Sequence, residues 1–255
     1  MIKEKFYRIM EGICPVELEE DWDNCGIQIN TEFQDVERIL VALEITDAVI
    51  DEAIERDADM IVTHHPLIFG GLHNVDHSNI TGKYINRLIR AGISVYSCHT
   101  SFDTMEGGNN DHFGEVLGLN DVEPFESGNR FCRKGVTPME ISFQEFIYQA
   151  AEALGVSVRF FSATGDLKRK ICTVGWCTGS GAEFMREAVD EGCDLYITGD
   201  LKYHDAQNAK AMDLCVLDAG HYGTEKIFVD NMAEILSRKT NCEILKTKID
   251  INPFV

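Results

Sequence analysis

Six residues of the chain have the types and spacing to hold divalent ions and activate water: His64, His65, His99, Asp103, His221 and Glu225. Imidazole and carboxylate donors suit Zn, Mn, Fe, Co or Ni, and the absence of cysteine at matching positions argues against a structural thiolate site. A site with three histidines and two carboxylates has donors enough for two ions, above all if Glu225 bridges them. Paired ions bring the pKa of water toward neutrality and can clamp both the attacking and the leaving oxygen, so hydrolysis is the natural chemistry. His99 then serves as the partner that orients Asp103 or a water molecule. His221 and Glu225, four residues apart, share one face if a helix begins at Gly220.

The elements that must position these groups are strands that stop where the chemistry begins. Residues 59–63 are apolar and β-branched, and Pro66 cannot extend a central ladder, so His64 and His65 lie at a strand exit, where ligands bind in open α/β sheets. Neighbouring strand residues point to opposite faces, so both imidazoles serve one site only if the backbone turns there or two ions share it. Residues 93–100 form another strand, ending at His99, and a buried strand at 214–217 precedes His221. Earlier come an amphipathic opening helix at 2–13, an acidic loop around Trp22, Asp23, Asn24 and Gly26 read as a structural turn, and a strand at 37–43. Thr46 caps a helix that runs through Ala58 and buries Val49, Ile50, Ala53 and Ile54. A helix at 83–91 leads to the His99 strand, and residues 107–111 open a further helix whose free amides could hold an anion. Residues 120–135, with Pro124, Gly128 and Gly135, read as a crossing to a second lobe.

That second lobe repeats the first. At a shift of 135, residues 59–63 fall without gaps on 194–198, the preceding helices match at 52–54 and 187–189, and His64-His65 falls on Gly199-Asp200. At a shift of 122, His99 and Asp103 fall on His221 and Glu225. The fold class is therefore α/β, with two internally duplicated lobes, residues 1–126 and 127–255, each offering the ends of two strands and with exchange of terminal segments allowed. Lys202 and His204 follow Thr198-Gly199-Asp200 and could reach substrate or act as acid or base, although Asp200 is also a good helix N-cap. Thr178-Gly179-Ser180-Gly181 follows a strand, and its amides could hold a phosphate.

The totals narrow the function. A net charge of -20 argues against nucleic-acid partners, since binding phosphates needs clustered Lys and Arg. No apolar run reaches membrane-spanning length and residues 1–6 lack the apolar stretch of a secretory signal, so a cytoplasmic location without membrane contact is expected. Nine cysteines without a CxxC pair read mostly as buried thiols rather than disulfides or a zinc finger.

Asp23-Asn24-x-Gly26, Thr63-His64-His65-Pro66-Leu67, His99-Thr100-x-x-Asp103, Thr198-Gly199-Asp200-x-x-x-His204 and Gly220-His221-x-x-x-Glu225 resemble, in this order and over nearly the whole chain, the NIF-three-like proteins, also called GTP cyclohydrolase I type 2 homologues. The length is that of the short form without an inserted domain. The resemblance implies two intertwined α/β lobes with mixed sheets, a dinuclear metal site in the cleft between them, and a ring-shaped homohexamer. By position it implies that His64, His65, Asp103, His221 and Glu225 are metal ligands, with Glu225 bridging. The function expected is a metal-dependent hydrolase with two divalent ions per chain, acting on a nucleotide or small phosphorylated or amide substrate. GTP ring opening, which the family name implies, would use the activated water to attack the purine imidazole and release formate. The alternative is a metal-binding scaffold, metallochaperone or regulatory interaction protein without catalysis.

Overall fold

The structure, a computed structural model, describes residues 1–254 and divides into two units, one of Met1–Met105 with Phe228–Pro253 and one built on Glu106–Ile227. In the first unit the opening helix, α1 (Lys3–Ile13), buries Phe6, Met10 and Ile13 at helical spacing. Strands β1 (Gly26–Ile29), β2 (Arg38–Ala42), β3 (Met60–Thr63) and β4 (Ser94–Ser97) follow. Between β2 and β3 lies α2 (Asp47–Glu55), and between β3 and β4 lies α3 (Ile80–Ala91). Thr46 caps α2 by accepting from the Val49 amide, as its sequence demands. The helix stops at Glu55 rather than Ala58, because Asp57 takes a left-handed backbone with φ 51, and Ile54 is exposed instead of buried. Asn79 caps α3 and Gly92, with φ 75, ends it. A short helix, α4 (Thr100–Thr104), starts directly after the β4 exit.

The second unit holds α5 (Asn109–Val116), β5 (Asn120–Pro124), β6 (Arg133–Ser142), α6 (Phe143–Leu154), β7 (Ser162–Thr164) and β8 (Lys170–Ser180). It continues with α7 (Met185–Asp190), β9 (Leu195–Gly199), α8 (Tyr203–Ala211), β10 (Cys215–Asp218) and α9 (His221–Glu225). The turn-rich stretch read as a crossing is a hairpin of this sheet, with Asn120 opposite Val136 and Pro124 opposite Arg133. The division therefore falls after Met105 and not after residue 126. One of the amides ahead of α5 is already taken: the Asp111 carboxylate accepts from the Gly107 amide at 2.7 Å.

The chain then rejoins the first unit with α10 (Phe228–Lys239) and β11 (Glu243–Lys246), which pairs parallel with β2. Its sheet runs β1-β4-β3-β2-β11, and the second unit's runs β5-β6-β8-β9-β10-β7. Both are mixed, with a parallel core buried on both faces; Ile39, Leu40, Val41 and Ala42 of β2 are fully buried. The repeat extends to individual bonds. Ile39 opposite Met60 becomes Val174 opposite Leu195 at the shift of 135, and each core carries an antiparallel strand, β1 or β7, against its third parallel strand. The Asp59 carboxylate accepts from the amides of Glu37 and Arg38, and Asp194 accepts from Cys172 and Thr173. The strands before the acidic motifs, however, match at 121: Thr63 faces Ser97 and Thr198 faces Asp218. The helices α4 and α9 start 121 apart as well, so His99 is equivalent to Gly220 and not to His221.

After β11 the chain is tied down by Glu52, which is 6% exposed. Its carboxylate accepts from Thr247 Oγ1 at 2.5 Å and the Lys248 amide at 3.0 Å while pairing with Arg56 at 2.7 Å. Glu52→Ala is expected to cost about 2–4 kcal/mol, since it leaves the Thr247 hydroxyl and the Lys248 amide without their acceptor and Arg56 without its carboxylate. Hydrogen exchange should then accelerate at residues 247–251 well before β2 opens; unchanged protection there would show that the carboxylate is not the anchor.

Candidate metal centre

In the first unit the strand exit turns as the paired histidines require. The amides of His64 and His65 both donate to the Leu43 carbonyl, at 3.1 and 2.9 Å, and the two rings lie 5.2 Å apart at 38°. The His65 carbonyl is gripped from below by the hydroxyls of Thr63 (2.9 Å) and Ser97 (3.3 Å). His64 is fully buried against Phe228, its Nδ1 2.8 Å from the Cys98 carbonyl, so its Nε2 is the nitrogen that faces Asp103 Oδ1, at 3.5 Å. His65 keeps Nδ1 3.6 Å from the Glu44 carboxylate. His99 stands ahead of α4, and the ligand nitrogens of His64, His65 and His99 all lie within 4.8 Å of one another. His99 thus joins the donor cluster directly.

Asp23, in the loop read as a structural turn, is the residue that fixes His99. Its fully buried side chain meets His99 Nδ1 at 2.9 Å and accepts from the amides of Asn24 (2.8 Å) and Thr100 (3.0 Å) and from the Thr100 hydroxyl. Burial alone would raise its pKa, but the hydrogen bond and charge of His99, with the hydrogen bonds of Thr100 and Asn24, outweigh it and hold the carboxyl well below the usual carboxylate range. Glu19, Asp23 and Cys25 also sit within ligand spacing, yet Glu19 accepts from the Cys25 amide at 2.6 Å and Asp23 is saturated by protein donors, which makes this group a clasp for the loop.

In the second unit Gly220, with φ 80, swings the chain out of β10 and starts α9. His221 and Glu225 then share a helix face, Nε2 to Oε2 at 2.9 Å, with Glu225 only 3% exposed. Asp200 holds the other imidazole nitrogen, Nδ1, at 2.8 Å. It is no N-cap: it has φ 56, while Asp205 accepts from the Lys202 amide and α8 begins at Tyr203. The repeat offered this residue, since Asp200 falls on His65 at the shift of 135. Asp218 braces the turn by accepting from the Leu201 and Gly220 amides, and burial raises its pKa. Gly179 is not a phosphate cradle either. Its amide and that of Gly181 are taken by Thr224 and Thr198, and with φ 71 it leaves room for Glu225, whose Oε1 would lie 2.2 Å from an added Cβ. Lys202 and His204 are exposed, and His204 lies edge-on to Tyr203.

Three histidines therefore present one nitrogen each with the other held by oxygen: Cys98 for His64, Asp23 for His99 and Asp200 for His221. This is the way proteins orient metal-ligating imidazoles, and the mixed His and carboxylate donors fit a first-row divalent ion. Of the nine cysteines seven are buried, and none belongs to these His-carboxylate groups. No helix of the described residues is long and apolar enough to cross a membrane.

The comparisons with known proteins bear on the family and the fold. A Clostridium perfringens protein named GTP cyclohydrolase 1 type 2 homolog is 35% identical over 254 residues, 96% of each chain. One of the same name from Streptococcus pneumoniae is 33% identical, covering 100% of this chain and 99% of its own. Among solved structures, a Staphylococcus aureus hypothetical protein superposes with a TM-score of 0.93 at 24% identity, and a Bacillus cereus protein related to NIF3 with 0.92 at 22%, each over 100% of this chain and 99% of the other. Residues 1–253 match the family described as Duf34/NIF3 (NGG1p interacting factor 3), and to that family this chain belongs.

Proposed function

We propose that the chain is a metal-dependent hydrolase that holds two divalent ions, with His64, His65, Asp103, His221 and Glu225 as ligands and Glu225 as the bridge. The observation that carries the reading is the tethering of the Nδ1 atoms of His64, His99 and His221 by oxygen, which leaves Nε2 as the nitrogen each ring presents. A structural histidine needs no such set. When bound, paired ions lower the pKa of water and stabilise negative charge on a leaving oxygen. The chain's own work is to present that water and to receive its proton. His99 is the acceptor at Nε2, and the Asp23 carboxylate, held ionised, steadies the ring and its imidazolium form, as in other Asp–His pairs. Lys202 and His204 have no place in this step. A ring-shaped homohexamer belongs to the same proposal, by family resemblance.

The relatives' name points to GTP, and the donor set itself suits any nucleotide or small phosphorylated or amide compound. Metal-loaded protein is to be incubated with GTP and a panel of nucleotides and phosphoesters, with products read by mass spectrometry. The expected result is one consumed compound, two ions per chain, and loss of turnover of about 10³-fold in Asp103→Ala with folding intact. Full loading with no compound consumed would sink the hydrolase and favour the metal-binding scaffold.

A further inference from the structure

The acidic loop and the loop after the paired histidines each end in an exposed aromatic ring. Trp22 is 57% and Phe69 59% exposed, which folding does not require. Their centroids lie 5.9 Å apart at 63°, and both rings meet His99 edge-on, Trp22 at 6.1 Å and 76° and Phe69 at 6.3 Å and 79°. Three rings from three separate segments thus form a corner whose inner member is the imidazole of the donor cluster. The corner is held rigid from beneath. Asn24 Nδ2 donates to the Ile68 carbonyl at 2.6 Å, and Gln28 Oε1 accepts from the Ile68 amide at 3.0 Å, bolting the Phe69 loop to the Trp22 loop. Gln28 is itself fixed by the Asn24 carbonyl, at 2.7 Å. Exposed rings on preorganised loops beside polar donors are the make-up of a ligand platform.

We propose that Trp22 and Phe69 stack a purine-sized heteroaromatic ring and so select the substrate of the candidate metal centre. This rests on the hydrolase reading for its purpose, and on the three rings alone for its geometry. An aliphatic ligand would gain little from two π-faces, whereas a flat bicyclic ring covers the indole and reaches toward His99 at its edge. The flanking Glu19, Glu20 and Asp21 repel free phosphate, so recognition at this corner goes through the ring itself.

The test uses the two tryptophans. Trp176 is fully buried, with Nε1 on the Asn110 carbonyl, so quenching of fluorescence by acrylamide reports on Trp22. In metal-free protein, guanosine and adenosine are expected to protect Trp22 from acrylamide while ribose 5-phosphate does not, and Phe69→Ala is expected to weaken the protection about tenfold. Protection in the metal-free state supports the platform even if no compound is ever hydrolysed. If neither nucleoside protects, or ribose 5-phosphate protects equally, the platform is wrong, and turnover of a non-aromatic substrate would leave the hydrolase standing without it. A change in oligomeric mass of Trp22→Ala, with nucleoside binding absent in the parent protein, would assign the rings to a contact between copies and overturn the proposal.

Discussion

Gly179→Ala is expected to lower stability and strip metal from the protein, although residue 179 offers no ligand atom. Two costs combine. At φ 71 a side chain sits in the left-handed region, at about 1–2 kcal/mol. The new methyl would also lie 2.2 Å from Glu225 Oε1 and 3.1 Å from its carboxyl carbon, and the carboxylate, 3% exposed, must leave its position against His221 Nε2. Gly118→Ala separates the two effects, because Gly118 has φ 67 and nothing within 4 Å of an added Cβ. Both variants should lose melting temperature through backbone strain. Only Gly179→Ala should lose bound metal, measured per chain by elemental mass spectrometry after loading. Equal metal content in the two variants would mean that Glu225 does not depend on the space Gly179 leaves.

The contrast between these glycines shows what a sequence conveys and what it withholds. Gly118 matters only for its own backbone, at φ 67, whereas Gly179 matters because of a carboxylate 46 positions later, a relation that only the fold reveals. The parallel core was legible for a related reason. Strands buried on both faces must be apolar runs, and the shift of 135 that aligns residues 59–63 with 194–198 recurs in the ladder between β8 and β9. The likeness of His99 and Asp103 to His221 and Glu225 did not survive as a structural equivalence. The strands and helix starts correspond at 121, so the matching pairs sit one residue apart in the two repeats, about 100° round a helix. A shared His-x3-acid spacing reflects what two donors on one turn need and not an inherited position. Likewise the turn residues of 120–135 were correctly polar and glycine-bearing, but a hairpin uses the same residues as a linker, and only pairing partners distinguish them.

Asp23→Ala is expected to damage the protein more than any exposed substitution, because one buried carboxylate answers donors on four residues, Asn24, Cys25, His99 and Thr100. Its removal leaves the amides of Asn24 and Thr100, the Thr100 hydroxyl and His99 Nδ1 without their acceptor, at a cost of about 3 kcal/mol or more. Asp23→Asn preserves shape and isolates charge. The sign of the pH effect follows from the lowered carboxyl pKa. A folded-state pKa below the unfolded value of about 3.9 contributes stability that is complete above that value and drains away as pH falls through the folded pKa. In metal-free protein, the stability gap between the parent and Asp23→Asn should therefore be constant from neutral pH down to about pH 5 and close steadily below about pH 4. Urea denaturation at a series of pH values measures it directly. A gap that stays constant to pH 2 would show that the carboxylate charge contributes nothing and that hydrogen-bond geometry alone holds the loop. In the same variants, loosening of His99 should lower turnover by about 10²–10⁴-fold, the usual contribution of a positioned general base, while the metal content per chain is unchanged. Retention of full turnover in a folded Asp23→Ala would remove His99 from the proton transfer and leave the Asp23–His99 bond of the parent protein a purely structural one.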